Sequence, residues 1–221
     1  MNMFIRIAAL GILGISAKIC DVLRITRRSC VFLGMQASGK TTLLNMLMNG
    51  PKYEKPQATR GVSENEESEE LYLSKPNNIK LWELSHTIDF AGDEIFQKSY
   101  AGSIKGKDCV IFMFDASKYI TEENYRNYAQ ARLYLTARYI DNDKQKFYVI
   151  GTHIDEISSI SPDQIYHEIQ KSLDGKDYAK KIKPNNLQVI SLKDYNLDVD
   201  KMIRKLILID LFGINKKEAM E

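Results

Sequence analysis

Residues 34–41 read Gly-Met-Gln-Ala-Ser-Gly-Lys-Thr, the pattern GxxxxGK[ST], directly after the apolar run CVFL and directly before a helical stretch. Glycines in such a turn let the backbone curl until successive N–H groups and the helix N-terminus converge on phosphate oxygens. Lys40 brings a point charge to the terminal phosphates, and Thr41 offers a hydroxyl oxygen to Mg²⁺, which prefers oxygen ligands in octahedral array. The expected phosphate contacts are Gly34, Gln36, Ala37, Ser38, Gly39, Lys40, Thr41 and Thr42. The loop alone fixes neither the base nor the reaction.

Four further groups follow in order. Thr59 lies 19 residues after Lys40, in the run Pro56-Gln57-Ala58-Thr59-Arg60-Gly61. Asp89-Phe90-Ala91-Gly92 supplies an acid and a glycine as DxxG, followed by Asp93-Glu94. Thr152-His153-Ile154-Asp155 ends the apolar run FYVIG, and Ser191-Leu192-Lys193 ends LQVI.

This series, from Cys30 to Lys193, resembles the motifs of Ras-superfamily GTPases. The string LGMQASGKTTLLNML and the apolar N-terminal extension point toward Arf-like proteins and the signal-recognition-particle receptor β subunit, with bacterial relatives. The resemblance implies GTP or GDP with Mg²⁺ as ligands. Thr41, Thr59 and Asp89 would then hold the metal, and the Gly92 N–H would touch the γ-phosphate. Asp155 would accept from the guanine N1–H and amine, with Thr152 in place of the usual asparagine and His153 in place of the lysine that packs on the base. The Ser191, Leu192 and Lys193 loop would meet the guanine oxygen. Lys40 and Asp93 are the catalytic candidates; in this family a glutamine that orients water usually stands where Asp93 does.

A rival placement aligns Trp82-Glu83-Leu84 with the Trp-Asp of Arf proteins. It loses the glycine and the aspartate, and it makes the interval to Asp115 six residues longer than the 26 from Asp89, so Asp89 is preferred. Three functions fit the motifs. One is a switch that hydrolyses GTP slowly with a partner's help, an effector or GTPase-activating protein. Another is a GTP-loaded scaffold with little hydrolysis, and the third is a P-loop kinase or ATPase. TxxD and SxK have no evident role with adenine, which argues against the third.

These residues need strands and helices to position them. Short β-branched and apolar runs at 30–33, 109–114, 147–151 and 187–190 predict buried parallel strands. Helices are expected over 41–49, from Thr121 as cap with Glu122 and Glu123 in the first turn to about Ile140, from Ser161-Pro162 to Asp174-Gly175, and from about Asp198. Runs at 71–73 and 79–88, around Lys75-Pro76-Asn77-Asn78, predict a hairpin at the antiparallel edge. The acidic stretch Glu64, Glu66, Glu67, Glu69 and Glu70 reads as a solvated loop. The predicted class is α/β, a P-loop NTPase three-layer sandwich with a mostly parallel sheet, one antiparallel edge strand and helices on both faces.

The 221 residues, 44% of them hydrophobic, suffice for one domain. A balance of 31 basic against 29 acidic residues, with pI near 8.3, gives no field for nucleic acid. Cys20, Cys30 and Cys109 lack ligand spacing and read as buried thiols, while His86 and His167 read as surface residues and Trp82 as a hairpin or core aromatic. Tyrosines 125, 128, 134 and 139 read as helix packing and surface.

Residues 1–28 differ in character, with the uncharged run IAALGILGISA between Arg6 and Lys18. The division expected is 1–28 as an apolar segment, either a membrane anchor on the cytosolic face or a helix folded back onto the domain, 29–215 as the GTPase domain and 216–221 as a charged tail. Asn2 rules out myristoylation at that position, so attachment would come from the apolar segment itself.

Overall fold

A computed structural model describes residues 26–49, 62–65, 69–70, 82–84, 87–90 and 99–193, with side chains over 28–46 and 99–193. In chain order the elements are β1 (Thr26–Arg28), β2 (Cys30–Gly34), α1 (Lys40–Asn49), β3 (Val62–Asn65), β4 (Glu69–Glu70), β5 (Trp82–Leu84) and β6 (Thr87–Phe90). They continue with α2 (Tyr100–Ile104), β7 (Cys109–Asp115), α3 (Ala116–Thr121), α4 (Glu123–Arg138), β8 (Lys146–Thr152), α5 (Pro162–Leu173) and β9 (Leu187–Val189). Short 3₁₀ turns at Ile154–Glu156, Asp177–Lys181 and Pro184–Asn186 complete the order.

The main sheet runs β3-β6-β2-β7-β8-β9, parallel throughout except for β3 at one edge. Both faces of its centre are buried, as continuous apolar runs demand. Val31, Leu33, Val110, Phe112, Phe147 and Val149 share a core with residues of α2, α4 and α5. The alternate positions, among them Phe32, Ile111, Met113 and Ile150, are buried as well, and so are Leu43, Leu44 and Met46 of α1. The predicted strands and class are therefore observed.

A second, three-stranded sheet runs β1-β5-β4. It continues the first: β1 and β2 are separated only by Ser29, whose N–H and hydroxyl both donate to Asp108 Oδ2 at 2.8 and 3.0 Å. On the hairpin, Val62 pairs with Phe90 and Asn65 with Thr87, and farther out Glu69 pairs with Leu84 and Glu70 with Glu83. Two expectations are corrected here. Glu64, Glu69 and Glu70 lie on strands, not in a loop, and the first hairpin strand starts before residue 71. Local charge gave way to pairing, and β3 and β4 are both edges, where charged residues discourage pairing with other chains.

Thr121 is likewise not an N-cap. It ends α3, its hydroxyl donating to the Ser117 carbonyl at 2.9 Å, and the capping position of α4 falls to Glu122 without a side-chain bond. Ser161 does open α5 with a capping box: the Gln164 N–H donates to Ser161 Oγ, and the Ser161 N–H to Gln164 Oε1. Cys30 and Cys109 are buried neighbours in register, Trp82 is in β5, and His167 is exposed. Tyr125 is half-buried while Tyr128, Tyr134 and Tyr139 are exposed on α4 and the turn after it. Cys20, His86, the hairpin turn at 75–78 and the helix expected from Asp198 lie outside the described residues.

Candidate functional site

The strands that end in the predicted motifs stop at the same end of the sheet. Gly34 pairs with Met113, and Asp115 with Thr152. Parallel strands deliver their C-terminal loops to one edge, where α/β sheets bind ligands.

The loop between β2 and α1 turns through left-handed backbone at Gly34 (φ 127°), Ala37 (φ 56°) and Gly39 (φ 78°). Gly34 is required by contact as well as conformation, because a Cβ there would collide with the Met113 carbonyl, which already accepts the Met35 N–H at 2.9 Å. Ser38 Oγ and Lys40 Nζ both donate to the Met35 carbonyl, at 2.8 and 2.7 Å, so the lysine is folded over its own loop and buried. Gln36 and Ala37 are exposed at the crest, and Thr41 and Thr42 are half-buried in the first turn of α1.

The second loop follows β8. Thr152 is fully buried, and its hydroxyl lies 3.1 Å from the Ser38 carbonyl and 3.2 Å from that of Phe114. His153 stands at φ 59°; it and Ala37 are the non-glycine residues with left-handed backbone among those described. Each such residue costs on the order of 1 kcal/mol, and strain of this kind gathers at working loops. Asp155 Oδ1 accepts from Ser191 Oγ at 2.8 Å, and Lys193 Nζ is 3.9 Å from Oδ2. Leu192 Cδ1 would lie 3.0 Å from a Cβ on Gly39, so the third loop touches the first. Residues 34–41, 152–155 and 191–193 thus form one continuous surface.

Asp89 is placed by its backbone. It pairs with Phe32, two residues before Gly34, whereas Glu83 pairs with Arg27. At roughly 3.3 Å per residue the rival acid sits about 16 Å farther from the loop. Thr59, Gly92 and Asp93 lie outside the described residues. Among the described residues no cluster of three or more His, Cys, Asp or Glu forms a ready-made cation site. The strained, glycine-lined loop with a buried lysine fits a polyphosphate, and Thr41 is an oxygen donor suited to Mg²⁺ beside it.

Two groups here were not singled out by sequence. Asp115 caps α3, Oδ1 accepting the Lys118 N–H at 3.0 Å, while Oδ2 lies 3.7 Å from Lys118 Nζ and 3.9 Å from His153 Nδ1. The Asp115 N–H donates to the Tyr125 hydroxyl at 2.8 Å, and burial holds that phenol well above its ordinary pKa. Arg132, buried on α4, points Nη1 at the Gly34 carbonyl at 3.4 Å, and its charge opposes the rise that burial causes in the Tyr100 pKa. Only the strand-end aspartate left a trace in the sequence.

A family model described as Ras of Complex, Roc, domain of DAPkinase matches residues 29–155, more than half of the chain, ending on Asp155 itself. The chain is 27% identical over 132 residues to Ras-related protein Rab7 of Pisum sativum, covering 60% of each. It is 27% identical over 129 residues to the Ypt/Rab-type GTPase ypt71 of Schizosaccharomyces pombe, covering 58% of each, and 26% identical over 132 residues to Ras-related protein RABG3f of Arabidopsis thaliana, covering 60% of each. The matches span only about 60% of these relatives' length. They hold the resemblance at the level of the Ras superfamily: these three are Rab-type, and none is Arf-like or a receptor β subunit.

Proposed function

Because the chain belongs to the Roc, Ras of Complex, family of Ras-like domains, we propose that it is a guanine-nucleotide switch that hydrolyses GTP to GDP slowly and with a partner's help. The observation that carries this reading is the bridge from the phosphate loop to the base loop, Thr152 against Ser38, with Asp155 and Ser191 beside it. A P-loop with a second loop that ends in a carboxylate is arranged to read a base and a polyphosphate together.

In this reading the N–H groups of residues 36–41 and the Lys40 ammonium bind the phosphates. Lys40 Nζ has three N–H donors, so it can keep its bond to the Met35 carbonyl and still meet a phosphate oxygen, a strong acceptor for its charge. Asp155 accepts from guanine, with Ser191 and Lys193 fixing its orientation. Magnesium, held by Thr41, Asp89 and Thr59, would neutralise phosphate charge, and Gly92 would report the γ-phosphate. Asp93 is a poor substitute for a water-orienting glutamine, since an ionised carboxylate only accepts and adds negative charge near an anion. A GTP-loaded scaffold with little hydrolysis is the second reading, favoured by the same residue. The Arf-like character rests on the loop string and the apolar N-terminal extension, and the proposal does not depend on it.

The domain, expected over 29–215, would take in β1 (Thr26–Arg28) as well, leaving 1–25 to attach it to the cytosolic face of a membrane and 216–221 as a charged tail. No helix among the described residues is long and apolar enough to span a membrane, and 1–25 lie outside them. Loss of the protein from the membrane fraction on deleting 1–25 would support this role; a full-length chain that fractionates as soluble would exclude it.

The nucleotide reading is tested by denaturing freshly purified protein and identifying what it releases. Stoichiometric GDP or GTP is expected, and adenine nucleotide in its place would overturn the assignment.

A further inference from the structure

The hydrogen bonds around Thr152 fix where the proton of His153 sits. The Thr152 hydroxyl has one hydrogen and lies within bonding distance of two carbonyls, Ser38 and Phe114, which can only accept. Its proton is therefore committed to them. His153 Nδ1, 2.8 Å from the same oxygen, must then be the donor of that pair. The imidazole is held as the Nδ1–H tautomer, and Nε2 is the atom that gains or loses a proton.

The charge that would appear on protonation has a partner already in place. Asp115 Oδ2 stands 3.9 Å from Nδ1, its side chain only 5% exposed and its other oxygen tied to the α3 N-terminus. The remaining groups around it are assigned. Lys118 Nζ faces the same carboxylate from α3, and Tyr125 from α4 is kept neutral by burial. Asp155 and Glu156 are on the turn after His153, Asp155 being engaged with Ser191 and Lys193. Lys40 is directed at its own loop.

We propose that His153 makes nucleotide retention depend on pH, with Asp115 as the positioning residue that holds the imidazolium against the base loop. The inference rests on the nucleotide reading above and deepens it. Protonated, the ring is a cation at the position where the resemblance places a lysine, and it favours an anionic ligand. Neutral, it contributes no charge at that position. Retention is therefore tighter at the acid end. The Nδ1–H bond through Thr152 to the Ser38 carbonyl carries the ring's position into the phosphate loop.

The test is the dissociation rate of N-methylanthraniloyl GDP from the full chain with Mg²⁺ across pH 5.8 to 8.0. Release is expected to be about three- to tenfold slower at the acid end than at the alkaline end. Asp115→Asn, which keeps the capping oxygen, should flatten the profile, as should His153→Gln. His153→Lys should give slow release at every pH. A flat profile in the unmutated chain, or one that persists in His153→Gln, overturns the inference while leaving the nucleotide reading intact. Failure to bind the probe at any pH overturns both. Should Asp115→Asn fail to fold, the two His153 variants decide alone.

Discussion

The Thr152 hydroxyl meets the Ser38 carbonyl at 3.1 Å, joining residues 114 positions apart and tying the end of β8 to the phosphate loop. Thr152→Val keeps the shape and removes the donor, leaving buried carbonyls less well satisfied, at a cost of about 1–3 kcal/mol. For a chain of this size that lowers the melting temperature by roughly 2–12 °C. Thr152→Ser should retain most of the stability. A valine variant as stable as the parent would show that the bond carries no weight.

Gly34→Ala should not fold to a native state. Its φ of 127° strains any side chain, and the added methyl would overlap the backbone of Met113, which cannot move without breaking the β2–β7 ladder. Circular dichroism and soluble yield read the outcome, and a well-folded alanine variant would contradict the placement of this glycine.

Tyr178 buries its hydroxyl without a hydrogen-bond partner among the described residues, and burial pushes its pKa up to about 12 from 10.0. Because the folded value is raised, this phenol's contribution is full below pH 10 and is lost as pH rises from there through about 12. Tyr178→Phe should match or exceed the parent's stability at pH 7 and lose less of it in alkaline denaturation. A destabilised phenylalanine variant at neutral pH would reveal a partner for the hydroxyl.

Strand positions, the phosphate loop and the start of α5 were legible because they depend on local signals: short apolar runs, GxxxxGK[ST], and Ser161-Pro162. The acidic segment misled because its strand character comes from pairing with β5 and β6, not from its own residues. Helix α3, six residues long, is too short to show a period, and its cap is the last residue of a strand. The approach of Asp115 to His153 depends on the register that sets Asp115 opposite Thr152, and that of Arg132 to Gly34 on helix packing across 98 residues. No spacing rule reaches either.

Intrinsic hydrolysis should be slow. In single-turnover measurements Asp93→Gln, which restores a donor and an acceptor for water, should raise the unassisted rate, while an external arginine supplies about 10³ to 10⁵ in related reactions. A fast parent rate that falls in the glutamine variant would make Asp93 a working catalytic group.

The account stands on guanine recognition by Asp155, and competitive titration of the purified chain with GTP and ATP measures it most directly. Unmutated protein should prefer GTP by at least roughly tenfold per hydrogen bond of about 1.5 kcal/mol to the charged carboxylate. Asp155→Asn should lose most of that preference with ATP binding unchanged. Equal affinity for the two nucleotides in the unmutated chain, with no effect of Asp155→Asn on either, would contradict the account.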